Sequence, residues 1–408
     1  MVIFVVISSN PFCSSSASSN RWLTLIDGLA SLGVKINLLI YGAYQTEYEA
    51  INWKICGENN GINYKYLDPR LIKGFFEQRY QIYIGSELQK LKFSNFILQE
   101  LQHKEGLVWT DASYFGFQLA VKIKKLSPER KIFLEMSEFL DIHKYNKGNL
   151  LQFWQAKRRQ RYFEKKAIYA FDGIAWMTKT LIMYCQSFPN PQPKLLQLAM
   201  TVDLERFENI TPAPSEFQQP YIAFVGVMND AKDGVSNLIK AFNLIKNQFV
   251  EHKVYLVGAW NYDTPIHLEL IKSFGLEDRV FWMKEYSRDA IPSIIGNADL
   301  LVLPRPDSKQ AQGGFPTKLG EYLATGNPVC ATSVGEIPDY LTDNESVFFA
   351  QPGSVESFAD AMRRALSEPE NAKRVGLNGK KVAQKEFNKD IQAKKLHQFL
   401  LELQDEKK

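Results

Sequence analysis

Two lysines and one glutamate in the second half of the chain have the types and spacing to hold an anion and a sugar. Lys318 and Glu321 follow Gly313-Gly-Phe-Pro-Thr317, and Lys232 stands in a separate Lys232-Asp-Gly234 segment. The apolar run Asp299-Leu-Leu-Val-Leu-Pro304 reads as a buried strand leading towards that glycine pair. Glycines let backbone approach a ligand closely, and Pro316 suits the first position of a helix. Leu319, Tyr322 and Leu323 have helical spacing, and Gly326 with Pro328 supplies a stop. Strand, glycine loop and helix start leave N–H groups pointing one way with a partial positive charge behind them, which favours a phosphate. Glu321, one turn in, can accept bonds from sugar hydroxyls. A nucleoside diphosphate carries both groups; an ordinary strand–helix turn with a solvated glutamate is the other reading.

The elements that must position these residues repeat along the chain. Val2–Ile7 reads as a first buried strand, Ser8–Asn20 as a polar loop, and the stretch from Trp22 to Gly33 as an amphipathic helix leading to a strand at Lys35–Tyr41. That is a βαβ unit with parallel strands. Its loop lacks the GxGxxG fingerprint of dinucleotide-binding domains. Ser18, Ser19 and Asn20 either cap the helix or offer donors to a polar acceptor. Further strands are expected at Leu107–Thr110, Lys131–Glu135, Ile174–Met177 and Lys194–Met200, with Glu135 and Glu138 near a strand end where open α/β sheets place ligand contacts. Pro212, Pro214 and Pro220 mark the passage to a second α/β repeat. That repeat has strands at Tyr221–Gly226, Lys253–Gly258, Arg279–Met283 and Asp299–Leu303, and the region from Glu370 onward reads as a charged helical tail. Two doubly wound domains follow, with the ligand expected in the cleft where strand ends of both meet.

Two stretches of the first half mix positive charge with aromatic rings. One runs from Arg70 to Leu101 and includes Lys73, Phe75, Phe76, Arg79, Tyr80, Tyr83, Lys90, Lys92 and Phe93. The other, read as one helix over residues 152–171, carries Lys157, Arg158, Arg159, Arg161, Lys165 and Lys166 against Glu164 alone. Each is compatible with a solvated charged face or with contact to anionic lipid or phosphate.

Composition narrows the classes. With 45% hydrophobic and 23% charged residues over 408 positions, the chain has ample core for two domains. A net charge of +4 does not suggest a nucleic-acid binder. Four scattered cysteines without CxxC spacing fit a reducing compartment, and Val2–Ile7 is too short to span a membrane. The expected location is cytoplasmic, with peripheral contact at the inner face of the cell membrane as an option. No Asp-x-Asp, GxxxxGK[ST], GxSxG or HExxH motif occurs. Positive charge from Lys232, Lys318 and Arg305 must then do the work of a metal clamp.

The string GGFPTKLGEYLATGNPV, preceded by ADLLVLPRPDSKQAQ, resembles the C-terminal signature of retaining family-4 glycosyltransferases, the glycosyl transferases group 1. FVGVMNDAKDGVSNLIKAF is similar to that family's phosphate-binding loop, and ASSNRWLTLIDGLASLG extends the likeness towards the start. The resemblance implies a GT-B fold: two Rossmann-like doubly wound domains facing each other across a cleft. It implies an acceptor-binding domain over 1–205, a nucleotide-sugar domain over 206–385, and a helical tail over 386–408 that packs back on the first domain.

On this resemblance Glu321 matches the second glutamate of the EX7E motif, which binds the donor ribose, and Lys232 matches the diphosphate lysine; these two are the catalytic candidates. Gly226, Arg305, Gly314, Phe315, Pro316, Thr317, Lys318 and Leu319 complete the donor side. Ser18, Ser19, Asn20, Arg21, Glu135 and Glu138 fall on the acceptor side. The implied activity is metal-independent hexosyl transfer from a UDP- or GDP-linked sugar to a glycan or lipid-linked acceptor in bacterial surface polysaccharide or glycolipid synthesis, with no separate cofactor. Two positions depart from the pattern: Gly313 stands where the first glutamate of EX7E is usual, and Val227 where many members carry arginine. A catalytically idle nucleotide-sugar binder, or an epimerase or phosphorylase-type enzyme on the same scaffold, therefore remains as an alternative.

Overall fold

The computed structural model describes residues 1–13, 17–44, 46–71, 86–102, 104–140, 150–189 and 193–405. The chain divides into two compact units, Met1–Leu198 with Ala393–Lys408, and Ala199–Gln392. The passage between them precedes the proline-rich stretch. That stretch lies within the second unit, where Phe217 is buried against Tyr221, Tyr255 and Tyr286.

The first unit holds β1 (Val2–Ile7), β2 (Lys35–Ile40), β3 (Cys56–Asn59), β4 (Ile62–Tyr66), β5 (Leu107–Thr110), β6 (Ile132–Met136), β7 (Gly173–Trp176) and β8 (Lys194–Gln197). Their order is β3-β4-β2-β1-β5-β6-β7-β8. The β1–β2 register runs from Val2 opposite Lys35 to Ile7 opposite Ile40, as a right-handed crossover through helix Ala17–Ser31 allows. At one edge lie two strands the sequence reading did not place: β4 pairs parallel with β2, and β3 pairs antiparallel with β4. Asn60 and Gly61, both at positive φ, make the two-residue turn that such a hairpin needs.

Two helix expectations also change. Residues 17–20 are already helical, so Ser18, Ser19 and Asn20 are not the cap of a helix that follows them. The single helix over 152–171 is two pieces, Leu150–Lys165 and a 3₁₀ turn at Ala167–Ala170, joined through Lys166 outside helical geometry. Lys73, Phe75, Phe76, Arg79, Tyr80 and Tyr83 lie outside the described residues, as does the side chain of Lys90. Among the described residues no helix is long and apolar enough to cross a membrane.

The second unit holds β9 (Tyr221–Val225), β10 (Lys253–Val257), β11 (Val280–Met283), β12 (Leu300–Leu303), β13 (Val329–Thr332) and β14 (Phe348–Ala350), in the order β11-β10-β9-β12-β13-β14. Every neighbouring pair is parallel. Numbered within the unit this is 3-2-1-4-5-6, the doubly wound order whose connections reverse between the first and fourth strands. Here that point lies between β9 and β12, and ligands in such sheets bind beyond the carboxyl ends of those strands. One face is closed by helices Val235–Ile245 and Val355–Ser367, whose Leu238, Phe242, Phe358 and Met362 pack on Ile222, Phe224 and Leu300.

The last helix, Lys389–Asp405, contributes to the first unit's core. Leu396, Phe399, Leu400 and Leu403 are buried there with Ile3, Val5, Leu107 and Phe133. A buried leucine truncated to alanine loses transfer energy and leaves a cavity, typically about 2–5 kcal/mol. Leu400→Ala should therefore lower the urea midpoint of the transition that unfolds the first unit. An unchanged midpoint would mean that this helix does not belong to that core.

Candidate functional site

The carboxyl end of β9 is where the second unit's chemistry collects. The strand stops at Val225, and Gly226 follows with φ of +148°. A side chain at 226 would be strained at that φ and would displace the Nζ of Lys318. Beyond it, Asn229 caps the short helix Asp230–Asp233 by accepting from the Lys232 backbone N–H at 3.0 Å. Asp230 braces the same turn, taking the Ser236 N–H at 2.8 Å and lying 3.1 Å from His267 Nε2. Gly234, at φ +69°, ends it; a Cβ there would lie 2.1 Å from the carbonyl of Pro304. The Lys232-Asp-Gly234 segment is thus wedged against the end of β12.

The helix Thr317–Thr325 is fixed to the same place. Tyr322 Oη accepts from the Val225 N–H at 2.7 Å and donates to the Val225 carbonyl at 3.3 Å. Lys318 Nζ lies 2.7 Å from Asp233 Oδ1, with side chains 17% and 3% exposed, and 4.6 Å from the centre of the Phe224 ring. Burial pushes the Lys318 amine below its usual value; Asp233 opposes this, while the charges of Lys232 and Arg305 add to it. Those two cations therefore stand near Lys318. The other Asp233 oxygen, Oδ2, is buried without a hydrogen-bond partner among the described residues.

Glu321 is one turn further along. Its carboxylate lies 3.1 Å from Arg206 Nη1, and the side chain keeps 24% of its surface exposed. Burial raises its pKa, against the charges of Arg206, Arg288 and Lys318, which lower it. Arg206 is held in turn by the Arg288 carbonyl at 2.5 Å. Lys232, Arg305 and Glu321 thus share one neighbour, Lys318, which links the two catalytic candidates electrostatically.

The remaining donor-side candidates divide by exposure. Pro316 is the N-cap of the helix rather than its first residue, so the free N–H groups begin at Thr317. Gly314 ends the preceding helix Lys309–Gly313, which replaces part of the expected open loop. Leu319 is fully buried, and Phe315 packs on Tyr340 and Phe387; both therefore serve the core with their side chains. Arg305 is buried and donates to the Gln310 carbonyl at 3.2 Å. Val227 is exposed.

In the first unit, Arg21 and Glu135 meet each other. Arg21 Nε donates to Glu135 at 3.1 Å and Nη2 to the Leu198 carbonyl at 2.8 Å, with side chains 3% and 6% exposed. The two charges pair with each other inside the unit. Ser18 is exposed, Ser19 is buried, Glu138 is half-buried, and Asn20 has a buried amide oxygen without a partner among the described residues.

Sequence reasoning missed Asp233, Arg206, Arg288 and Tyr322 as parts of the donor-side network. Asp233 had a local signal, since it adjoins Lys232. Arg206 had none, because its partner is 115 residues away. A polar cluster in the first unit was missed for the same reason. Asp111, just past β5, accepts from Tyr41 Oη at 2.8 Å, from Ser113 Oγ at 2.6 Å and from the Ser8 N–H at 3.0 Å. Burial raises its pKa against these bonds.

Residues 206–382 match the family model described as glycosyl transferases group 1. The second unit belongs to that family. An amylovoran biosynthesis glycosyltransferase, AmsK, of Erwinia amylovora is 24% identical over 337 residues, 82% of this chain and 79% of that one. An alpha-1,3/1,6-mannosyltransferase of Dictyostelium discoideum is 28% identical over 145 residues, so the match spans only 33% of either chain. Among solved structures, a sucrose-phosphate synthase from Thermosynechococcus elongatus superposes with a TM-score of 0.76 at 17% identity, covering 99% of both chains. Anabaena HepE in complex with UDP and glucose gives 0.69 at 14% identity, covering 98% of this chain and 100% of that one. The fold is GT-B, and its group 1 unit carries the Lys232, Lys318 and Glu321 cluster.

Removing one partner of the Lys318–Asp233 pair strands a buried charge, at a typical cost of about 3–5 kcal/mol. Asp233→Asn should destabilise the group 1 unit by that order in chemical denaturation, and Asp233→Asn with Lys318→Met should recover part of the loss. A single variant within about 0.5 kcal/mol of the parent, the range of ordinary surface substitutions, would contradict the burial.

Proposed function

We propose that the chain is a retaining glycosyltransferase of the family-4 type, moving a hexose from a nucleoside diphosphate sugar to an acceptor hydroxyl in bacterial surface polysaccharide or glycolipid assembly. The observation that carries this is the grouping of Lys232, Lys318 and Glu321 beyond β9 and β12, where the strand order reverses. The group 1 match supports the activity class, the named role of AmsK supports the polysaccharide context, and the UDP complex of HepE supports the donor type. UDP- and GDP-linked sugars both fit. The four free cysteines fit a reducing, cytoplasmic compartment.

On this reading the domain roles are an acceptor-binding first unit and a donor-binding second unit. Glu321 accepts from the ribose hydroxyls, with Arg206 holding its carboxylate in place. Lys232 and the N–H groups from Thr317 onward meet the diphosphate, and Arg305 adds charge behind them. Lys318 sets the position of this group through Asp233. Gly226, Gly314 and Pro316 contribute backbone, and Ser18, Ser19, Asn20, Glu138 and the Arg21–Glu135 pair stand on the acceptor side.

The bond between the anomeric carbon and the β-phosphate oxygen breaks, and charge grows on the leaving diphosphate. Lys232 and the N–H groups stabilise that charge more than the ground state, which is what accelerates the step. The acceptor oxygen bonds to the anomeric carbon on the same face, and its proton passes to an oxygen of the departing phosphate. With no Asp-x-Asp in the sequence, we assign this charge stabilisation to the protein rather than to a metal.

One other reading has a specific observation behind it. Gly313 leaves the usual sugar contact without its carboxylate, which suits a nucleotide-sugar binder that does not turn over. Slow donor hydrolysis without acceptor separates the two: a measurable rate supports the enzyme, and tight binding with no turnover supports the binder.

A thermal-shift panel with UDP, GDP, ADP and CDP should single out one base. Glu321→Gln and Lys232→Ala should then weaken that diphosphate by roughly 10- to 100-fold, the scale of lost hydrogen bonds to charged groups. Folded variants with unaltered affinity and turnover would falsify the assignment. The raised Glu321 pKa adds a pH test. Because its ionised form accepts the hydroxyls, donor affinity should fall as pH drops through a value above the usual glutamate range. Arg206→Met removes a charge that lowers this pKa, so the loss should begin at higher pH; a profile unmoved by that variant would contradict the role of Glu321.

A further inference from the structure

A second charged site lies in the first unit, on helix Leu150–Lys165. Tyr114, Trp154, Lys157, Arg158, Arg161, Tyr162, Lys165 and Lys166 line an open concavity of about 290 Å³. Five of the eight carry positive charge, and among the described residues that line it none is acidic. The only acid on helix Leu150–Lys165 is Glu164, and it is engaged elsewhere: it accepts from Gln160 at 2.8 Å and from Tyr184 Oη at 2.7 Å. The concavity therefore keeps its positive field.

The rings shape that field. The Arg158 guanidinium lies 4.8 Å from the centre of the Tyr114 ring, and Tyr114 meets Tyr162 edge-on at 5.2 Å. Lys157 Nζ sits 5.4 Å from the Trp154 ring and 5.7 Å from that of Phe153. Cation–ring contacts hold the long side chains against the surface without neutralising them. Trp154 is 57% exposed, an unusual position for an indole unless it meets an environment part apolar and part wet.

Clustered lysine and arginine beside an exposed tryptophan match the chemistry of a bilayer surface. Anionic headgroups meet the cations, and the indole sits at headgroup level. We propose that this concavity docks the first unit on a membrane rich in anionic phospholipid, with one headgroup phosphate seated among Arg158, Arg161 and Lys165. A soluble phosphate offers the same charge but gives Trp154 nothing to insert into. The proposal does not depend on the transferase reading, although a membrane-held unit would meet a lipid-linked acceptor directly.

The test is co-sedimentation of the full chain with vesicles of phosphatidylcholine alone or with 30% phosphatidylglycerol, at low and high salt. Binding to the anionic vesicles should exceed binding to neutral ones by about tenfold or more and weaken with salt. Lys157→Glu with Arg161→Glu and Lys165→Glu should abolish it, and Trp154→Ala should reduce it several-fold, both checked for fold by circular dichroism. Equal binding to both vesicle types, or anionic binding unaffected by the triple change, overturns the proposal. So does tight binding of inorganic phosphate without vesicle binding, which would make this a soluble-anion site. Nucleoside diphosphate thermal shifts on the same variants keep the two readings apart: they should be unchanged whether or not vesicles bind.

Discussion

The buried pair of Lys318 and Asp233 is the constraint on which the second unit's site depends. It joins the first turn of one helix to the loop after β9, two segments 85 residues apart in sequence. Three other features exist in relation to it. Gly226, at φ +148°, leaves open the space that Lys318 Nζ enters, the Gly234 backbone passes against the Pro304 carbonyl, and Tyr322 ties the helix to the last residue of β9. The helix N-terminus, Lys232 and Glu321 are consequently held in one arrangement before any ligand arrives. Such preorganisation spares a catalytic site the reorganisation that solvent would require.

The same pair changes how charge is distributed. Lys318 looks in sequence like a phosphate ligand, yet its charge is matched by Asp233 and weakened by burial. With Val227 exposed where the resemblance implies arginine and Gly313 where it implies glutamate, the proposed diphosphate contact falls to Lys232 and the helix dipole, with Arg305 adding charge behind them. Glu321 is restrained in a parallel way, since Arg206 fixes its carboxylate while leaving part of its surface open.

Much of this fold is legible along the chain. Short apolar runs locate β1, β2 and the strands from β5 to β12, and Gly326, at φ +84°, ends its helix as its position implies. The β3–β4 hairpin was readable from Asn60-Gly61 and went unread because Cys56–Asn59 carries almost no apolar pattern. The break at Lys166 is hidden because the apolar side chains Phe163, Ala167 and Ile168 continue helical spacing across it. At the site, motif strings bring out Lys232 and Glu321 but not their partners. Arg21 and Glu135 show the limit most clearly: both are placed on the acceptor side from the sequence, and only the tertiary structure shows that they pair with each other.

The central claim is that protein charge at the end of β9 grips a diphosphate. Calorimetric titration with the nucleoside diphosphate selected in the base panel, against the monophosphate of the same nucleoside and in the presence of EDTA, tests it most directly. The account predicts that the diphosphate binds about tenfold tighter or better, with no loss on chelation, as one extra charged phosphate contact implies. Equal affinity for the two nucleotides, or binding that appears only when a divalent cation is restored, would contradict it.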